Sequence, residues 1–407
     1  MTILIVTVLI LTLLAVLTFS PWLMIAILLL VPVVKAGAEY YVPFFHTSMD
    51  LTFVTCLLAG VMALWNLIRR PRIGAPLSIP WKLLACMVVI ALALTVGLAW
   101  TTAHDYGFRK AGRFAGIGIP FLLLPAFLVR SRHEARRAIH AVIAAGAIVA
   151  LAIVVLPQSY FIEKEYGRGY LRGTVWGSSP VIPSVLAAVA VLCVLTGFVV
   201  KGGASRWLRY SAFLVLPLGL YAIISTGTRS SFFGLLIASA LLPLFVGRGG
   251  RAKGVFVLFI AIPVAAAVGF MLIESATGPK LIRWERLAGP DRMETLVESR
   301  TYHYLFCIQN WWKRPILGHG SGSFAVDAFN RDEPAWPHNI ILEALYETGL
   351  VGTAALVAFL WIAVRTVRRG LKFALDPGDR FLVLAPAVMF VVLLIQGLTH
   401  WDIDGVR

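Results

Sequence analysis

Charge is what this sequence has least of. Only 14% of its 407 residues are Asp, Glu, Lys or Arg, 59% are hydrophobic, and the mean hydropathy is +0.85. Soluble domains carry roughly a quarter charged residues, so a water-soluble globule is excluded and the chain reads as a polytopic integral membrane protein. Cysteine is scarcer still, with 4 in all. Cys56, Cys86 and Cys193 fall in apolar runs and Cys307 stands alone in a polar segment, which excludes a disulfide or zinc framework. No basic segment follows Met1, and the first apolar run leads directly into a second at Trp22. The start therefore reads as a retained span rather than a cleaved signal. No internal repeat, low-complexity linker or Walker-type loop occurs, so a single domain over residues 1–407 is expected, with no nucleotide requirement.

What is present is a series of apolar runs close to the ~20 residues that a bilayer requires. They lie near residues 3–18, 22–35, 51–68, 83–100, 114–129, 138–156, 181–200, 210–225, 232–246, 255–273, 339–364 and 381–399. Residues 3–34 read equally well as one long broken helix, which leaves the side of Met1 open. The expected architecture is all-α with about twelve spans and one long loop, residues 274–337. Within that loop, Ser299 to Trp312 has the pattern of an amphipathic helix lying along the membrane interface.

Basic residues sort by alternate loops. Arg69, Arg70, Arg72 and Lys82; Arg130, Arg132, Arg136 and Arg137; Lys201, Arg206 and Arg209; Arg248, Arg251 and Lys253; and Arg365, Arg368, Arg369, Lys372 and Arg380 fall on one face, where only Glu134, Asp376 and Asp379 oppose them. The positive-inside rule makes that face cytoplasmic. The net charge of +16 thus reports topology and not a nucleic-acid partner. The opposite face should be nearly free of arginine, yet it carries Arg109, Arg113, Arg168, Arg172, Arg229, Arg283, Arg286, Arg292, Arg300, Arg314 and Arg331. Arg283, Arg286 and Arg292 share a stretch with Glu285, Asp291 and Glu294 and read as structural pairs.

Three stretches on that face could do chemistry. In Ser225 to Ser231, a short turn between two spans, hydroxyls can cap the incoming helix and leave its N–H groups and Arg229 facing an anion. Arg168-Gly-Tyr-Leu-Arg172 supplies a second basic loop; a guanidinium fork suits a diphosphate because it donates two parallel bonds and keeps its proton. Ala335 to Gly349 puts His338 in the first turn of a helix running to about Val364, where the positive end of the dipole favours a neutral, proton-accepting imidazole. Asn339, Glu343 and Glu347 recur every fourth residue and share one stripe of that helix. Ionisable groups inside an apolar span mark function by default. Gly318, Gly320 and Gly322 allow close backbone approach to a ligand. Trp311, Trp312, Phe324 and Trp336 are candidates for stacking on sugars or anchoring at the interface. His303 and His319 read as surface or packing histidines. Asp332-Glu333 is the nearest approach to a metal pair, so metal independence is expected.

In Ser225 to Ser231, in Arg300 with Arg314-Pro-Ile-Leu-Gly-His-Gly-Ser-Gly-Ser-Phe324, and above all in Pro337-His-Asn-Ile-Ile-Leu-Glu-Ala-Leu-Tyr-Glu-Thr-Gly349, the chain resembles the O-antigen ligases. Their wider family includes O-antigen polymerases and bacterial protein O-oligosaccharyltransferases. It departs from the family pattern at Ser178-Ser-Pro180 and at Arg314. The resemblance implies a GT-C-type glycosyltransferase of the Gram-negative inner membrane with a periplasmic active site. It would move O-antigen from undecaprenyl diphosphate to lipid A-core, without a cofactor, and by inversion. His338 would be the base, and Arg229 and Arg300 would stabilise the leaving diphosphate. Arg168, Arg172, Asn339, Glu343, Glu347 and Trp336 would contact substrate. A flippase is the expectation of a different class.

Overall fold

The computed structural model describes residues 20–41, 51–69, 80–155, 160–165, 168–173, 175, 178–200, 206–246, 290–374 and 376–399. The expected runs at 3–18 and 255–273, residues 274–289 of the long loop, and residues 401–407 lie outside the described residues.

Helices dominate. In chain order they are α1 (Leu23–Tyr41), α2 (Leu51–Arg69), α3 (Trp81–Gly97), α4 (His104–Arg113), α5 (Ile119–Leu128), α6 (Arg132–Val155), α7 (Val181–Val199), α8 (Arg206–Ser225), α9 (Arg229–Val246), α10 (Pro290–Asn310), α11 (Ser323–Phe329), α12 (Ile340–Phe373) and α13 (Pro377–Thr399). A π-helical turn, Phe114–Gly118, joins α4 to α5, so His104–Leu128 forms one span. Among the described residues 7 helices are long and apolar enough to cross a membrane, and α1, α3 and α9 carry shorter apolar stretches. Every expected run that falls on described residues is helical. The all-α polytopic class therefore holds.

The basic loop at Arg168 is the local departure. Tyr160–Glu165 (β1) pairs antiparallel with Arg168–Gly173 (β2), setting Phe161 opposite Arg172 and Glu165 opposite Arg168. Both segments carry aromatic and β-branched residues, Tyr160, Phe161, Ile162 and Tyr170, that suit a pleated ribbon.

The core is organised around α7, an Ala- and Val-rich helix with no charged residue and with most of its residues buried. In lipid, helices gain little from hiding apolar surface and associate instead through close packing of small residues. Gly146 of α6 shows this. A Cβ there would stand 2.5 Å from the Leu186 carbonyl and 2.6 Å from the Ala190 side chain. The α7 core continues through Ile223 of α8, Leu235 and Ala238 of α9, and Leu384 and Val388 of α13. A second cluster joins α12 to α3 and α4 through Ala344, Leu356, Ile90, Leu94 and Ala111. An apolar cavity between α9, α12 and α13, lined by Leu242, Val364, Leu384 and Val391, lies at the far ends of α9 and α12 from Arg229 and His338.

Candidate functional site

The polar residues gather where the turn between α8 and α9 meets the starts of α7 and α12 and the end of α13. Ser225 and Thr226 turn their hydroxyls back on the Ala222 and Ile223 carbonyls, and Thr228 donates to Pro180 at the head of α7. Gly227 takes φ +61°, a left-handed conformation that glycine adopts without strain. Gln396 near the end of α13 then ties the turn down. It accepts from Ser230 and donates to Ser231, each at 2.7 Å. The next residue, Gly397, packs on Ile340, the first residue of α12. Arg229, half-buried at the start of α9, is thereby brought to the same end of the bundle as His338.

His338 does not sit in the first turn of the helix. Asn339 is the N-cap, and its side chain accepts from the Ile341 and Leu342 N–H groups at 3.0 and 3.2 Å. The free helix N–H groups expected to face His338 are thus taken by Asn339 itself. His338 precedes the cap with φ +59°. For a residue with a Cβ this left-handed conformation costs roughly 1–2 kcal/mol, and such strain collects at sites where the side chain must be aimed.

The helix is also not continuous. Gly349 has φ +62° and ψ −157°, which separates a short helix, 340–348, from the long apolar part. In an unbroken helix Leu350 and Val351 would donate to the Tyr346 and Glu347 carbonyls. Here they donate to Pro315 and Ile316, while His319 and Gly320 donate to Tyr346 and Glu347. The glycine-rich stretch is therefore a strap set into the break. Gly318, Gly320 and Gly322 all have positive φ, and their close approach is to protein: a Cβ on Gly320 would lie 2.6 Å from the Gly97 carbonyl. Trp100, Thr101 and Ser321 complete the docking, with Trp100 Nε1 donating to Gly318 and Thr101 to Ser321, which in turn donates to Gly107.

Glu343 and Glu347 do share one face, as their spacing predicts, and that face meets Lys110 of α4. All three side chains are buried, Lys110 donates to Glu343, and its Nζ lies 2.8 Å from Glu347 Oε2. Glu347 also accepts from the Gly322 N–H at 2.9 Å. Asp332, expected as half of a weak acidic pair, instead accepts from the Asp105 and Tyr106 N–H groups and so caps α4.

Around His338 the structure assembles aromatic rings. Trp336 meets it edge-on at 5.6 Å and His303 of α10 lies 5.9 Å away, tilted by 30°. His303 packs edge-on against Phe324 and Phe329 at 5.7 and 5.4 Å. Burial, then the neighbouring His338 and Arg300, hold its imidazole below the ordinary value. Arg300 is exposed on the same helix. His319 stacks on Tyr346 at 4.3 Å within 2° of parallel, and Tyr346 donates to Asp327.

Residues 212–357 match the family model described as O-antigen ligase. In that stretch the chain is similar to the O-antigen ligases. It is also similar to the exopolysaccharide production protein ExoQ of Rhizobium meliloti (strain 1021), at 27% identity over 195 residues, 44% of each chain. The match thus spans less than half the length of that relative. Over residues 212–357 the chain is thus similar to the O-antigen ligase family.

The matched residues include Arg229, Arg300, Trp336, His338, Asn339, Glu343 and Glu347, and exclude Lys110 and the Arg168–Arg172 segment. Sequence reasoning set His303 aside and did not single out Lys110 or Gln396. His303 carried one usable signal, its place one helical turn after Arg300. Lys110 and Gln396 carried a weak one, as polar residues respectively just before and within an apolar run.

Proposed function

We propose that this chain is a metal-independent, inverting glycosyltransferase of O-antigen ligase type. It transfers a finished polysaccharide from undecaprenyl diphosphate to a sugar hydroxyl of lipid A-core, at the periplasmic face of a Gram-negative inner membrane. The observation carrying this reading is His338. A strained backbone just ahead of a capped helix aims its ring, between Trp336 and His303, at the end of the bundle that also holds Arg229 and Arg300.

In the proposed step, neutral His338 takes the proton of the acceptor hydroxyl as that oxygen forms a bond to the anomeric carbon from the face opposite the diphosphate. The bond from that carbon to the phosphate oxygen breaks, and its electron pair leaves with the lipid diphosphate. Arg229 and Arg300 stabilise the charge that develops there, with Arg168 and Arg172 supplying further positive charge. Positioned acid–base catalysis contributes about 10² to 10⁴ in rate, and charge stabilisation at the leaving group commonly as much or more. The sugar–diphosphate bond itself drives transfer. Trp336 offers a face on which a sugar can stack.

The similarity to an exopolysaccharide production protein favours a second acceptor on the same site: another lipid-linked glycan, which would make the enzyme a polymerase. Purified protein in detergent, given lipid-diphosphate-linked glycan and either lipid A-core or a lipid-linked repeat, separates the two. Transfer to lipid A-core, lost in His338→Ala, is the expected result. Transfer only to the lipid-linked repeat would establish the polymerase. Undiminished transfer by His338→Ala would remove the base from the mechanism. No transfer to either acceptor, with lipid-linked glycan moved only across vesicle membranes, would make the protein a flippase.

A further inference from the structure

We infer that Lys110 is a positioning residue: it draws Glu343 and Glu347 into one buried charge cluster and so fixes the short helix whose cap and preceding residue are Asn339 and His338. The inference rests on the assignment of His338 as the base.

Three side chains from two distant parts of the chain meet here, all buried. Lys110 Nζ donates to Glu343 and, at 2.9 Å, to Glu347 Oε1. Burying such charges is costly, and a buried ion cluster stabilises little relative to an apolar replacement. What it does supply is direction: each carboxylate must stay where the ammonium is, or stand buried without it. Glu343 and Glu347 are one turn apart, so a single Nζ fixes both the rotation and the height of residues 340–348 against α4. This short helix needs such a fixture, because the Gly349 break uncouples it from the long apolar part of α12. Its head is the cap that presents His338.

The cluster also reaches the strap. Glu347 accepts from the Gly322 N–H, and Gly107, three residues before Lys110, receives the Ser321 hydroxyl bond on its carbonyl. α4, the strap and the short helix thus form one unit with Lys110 at its centre. Phe324, which follows the strap, is one wall of the cage around His303, and His303 in turn faces His338. Lys110 therefore acts on both sides of His338, through the short helix and through Phe324 and His303.

The experiment compares the full chain in detergent as wild type, Lys110→Met, Lys110→Arg and the charge-free triple variant Lys110→Gln/Glu343→Gln/Glu347→Gln. Two readouts are taken: amide hydrogen exchange, and the kcat and KM of glycan transfer. In Lys110→Met we expect exchange at residues 316–323 and 340–349 to quicken at least tenfold while α7 is unchanged. kcat should fall roughly tenfold to a hundredfold with donor KM within about threefold, as for loss of orientation at a reacting centre. Lys110→Arg should restore most of both. Should Lys110→Met fail to fold, the triple variant, which removes the ammonium and both carboxylates together, is expected to show the same local loosening and the same loss of kcat. Wild-type exchange and kcat in the folded variants, or loosening that extends equally through α7, would overturn the inference. If wild type and His338→Ala transfer glycan equally, it is the His338 assignment that fails, and exchange alone still decides whether Lys110 fixes the short helix.

Discussion

His338 and His303 lie ring beside ring, with centroids 5.9 Å apart and planes 30° from parallel, although one precedes α12 and the other belongs to α10. Two imidazoles so placed resist being charged together. The proposed base, His338, would take up a proton most readily beside a neighbour that resists one, and burial in the cage of Phe324 and Phe329 holds the His303 imidazole below its ordinary value.

Acid should therefore weaken the fold. Burial depresses the His303 and His319 imidazoles below 6.5. Between their folded values and 6.5 the unfolded chain holds protons that the folded chain does not, so stability rises with pH through that window and is complete above it. Thermal unfolding in detergent should show a midpoint that falls as pH drops below about 6.5. His303→Phe, which keeps the ring and removes the titration, should flatten the fall. An unaltered profile would assign the acid sensitivity to other groups.

At position 338 glycine should be better tolerated than alanine. The left-handed φ of +59° costs a residue with a Cβ roughly 1–2 kcal/mol and glycine almost nothing. His338→Gly is expected to melt at or above His338→Ala, the reverse of the usual order, while both lose transfer by about 10² or more. A lower melting point for the glycine variant would mean that the backbone is not strained there.

Asn339 is a cap before it is anything else. Asn339→Ala should cost about 1 kcal/mol, the ordinary value for a lost N-cap, and lower transfer by loosening His338. Asn339→Asp should preserve both, since a carboxylate oxygen can accept the same two N–H groups. Loss of transfer in the folded aspartate variant would instead argue for a direct contact between the amide and substrate.

Gln396 is the buried link between the Arg229 turn and α13. Gln396→Leu leaves two serine hydroxyls without that partner and should destabilise by about 1–3 kcal/mol. Donor KM should rise as Arg229 loses its anchorage, with little change in the pH profile. Equal melting points and equal kinetics would detach this glutamine from the site.

Transfer should survive a chelator. Activity of the purified wild type in excess EDTA is expected to match the untreated enzyme, because Arg229 and Arg300 neutralise the diphosphate in the proposed step. Loss on chelation, restored by a divalent cation, would require a different one.

The spans were legible because a bilayer imposes a length and a polarity on every crossing segment, and runs such as 181–200 and 381–399 satisfy both without help from neighbours. The stretch around His338 stood out because polar residues are rare in such a chain and these sit together. The Lys110 cluster was not. Lys110 stands among Arg109 and Arg113, which look alike in sequence, and its partners lie 233 and 237 positions away. The break at Gly349 was hidden for a related reason: an isolated glycine within an apolar run is compatible with an unbroken helix, and only its positive φ reveals otherwise. The same ambiguity misdirected the glycine-rich stretch. Its need for close approach was correctly inferred, but the surface approached is Gly97, Thr101 and Glu347 of the protein itself.

The strap at residues 315–320 leaves the ribosome before the helix that it interrupts. Translation therefore supplies the partners for Tyr346, Glu347, Leu350 and Val351 ahead of those residues. Reversing that order, as a circular permutation opened between Asn330 and Pro334 would do, produces the broken helix before the residues that satisfy its backbone groups. Biogenesis of the chain is thus directional in a way that its finished shape conceals.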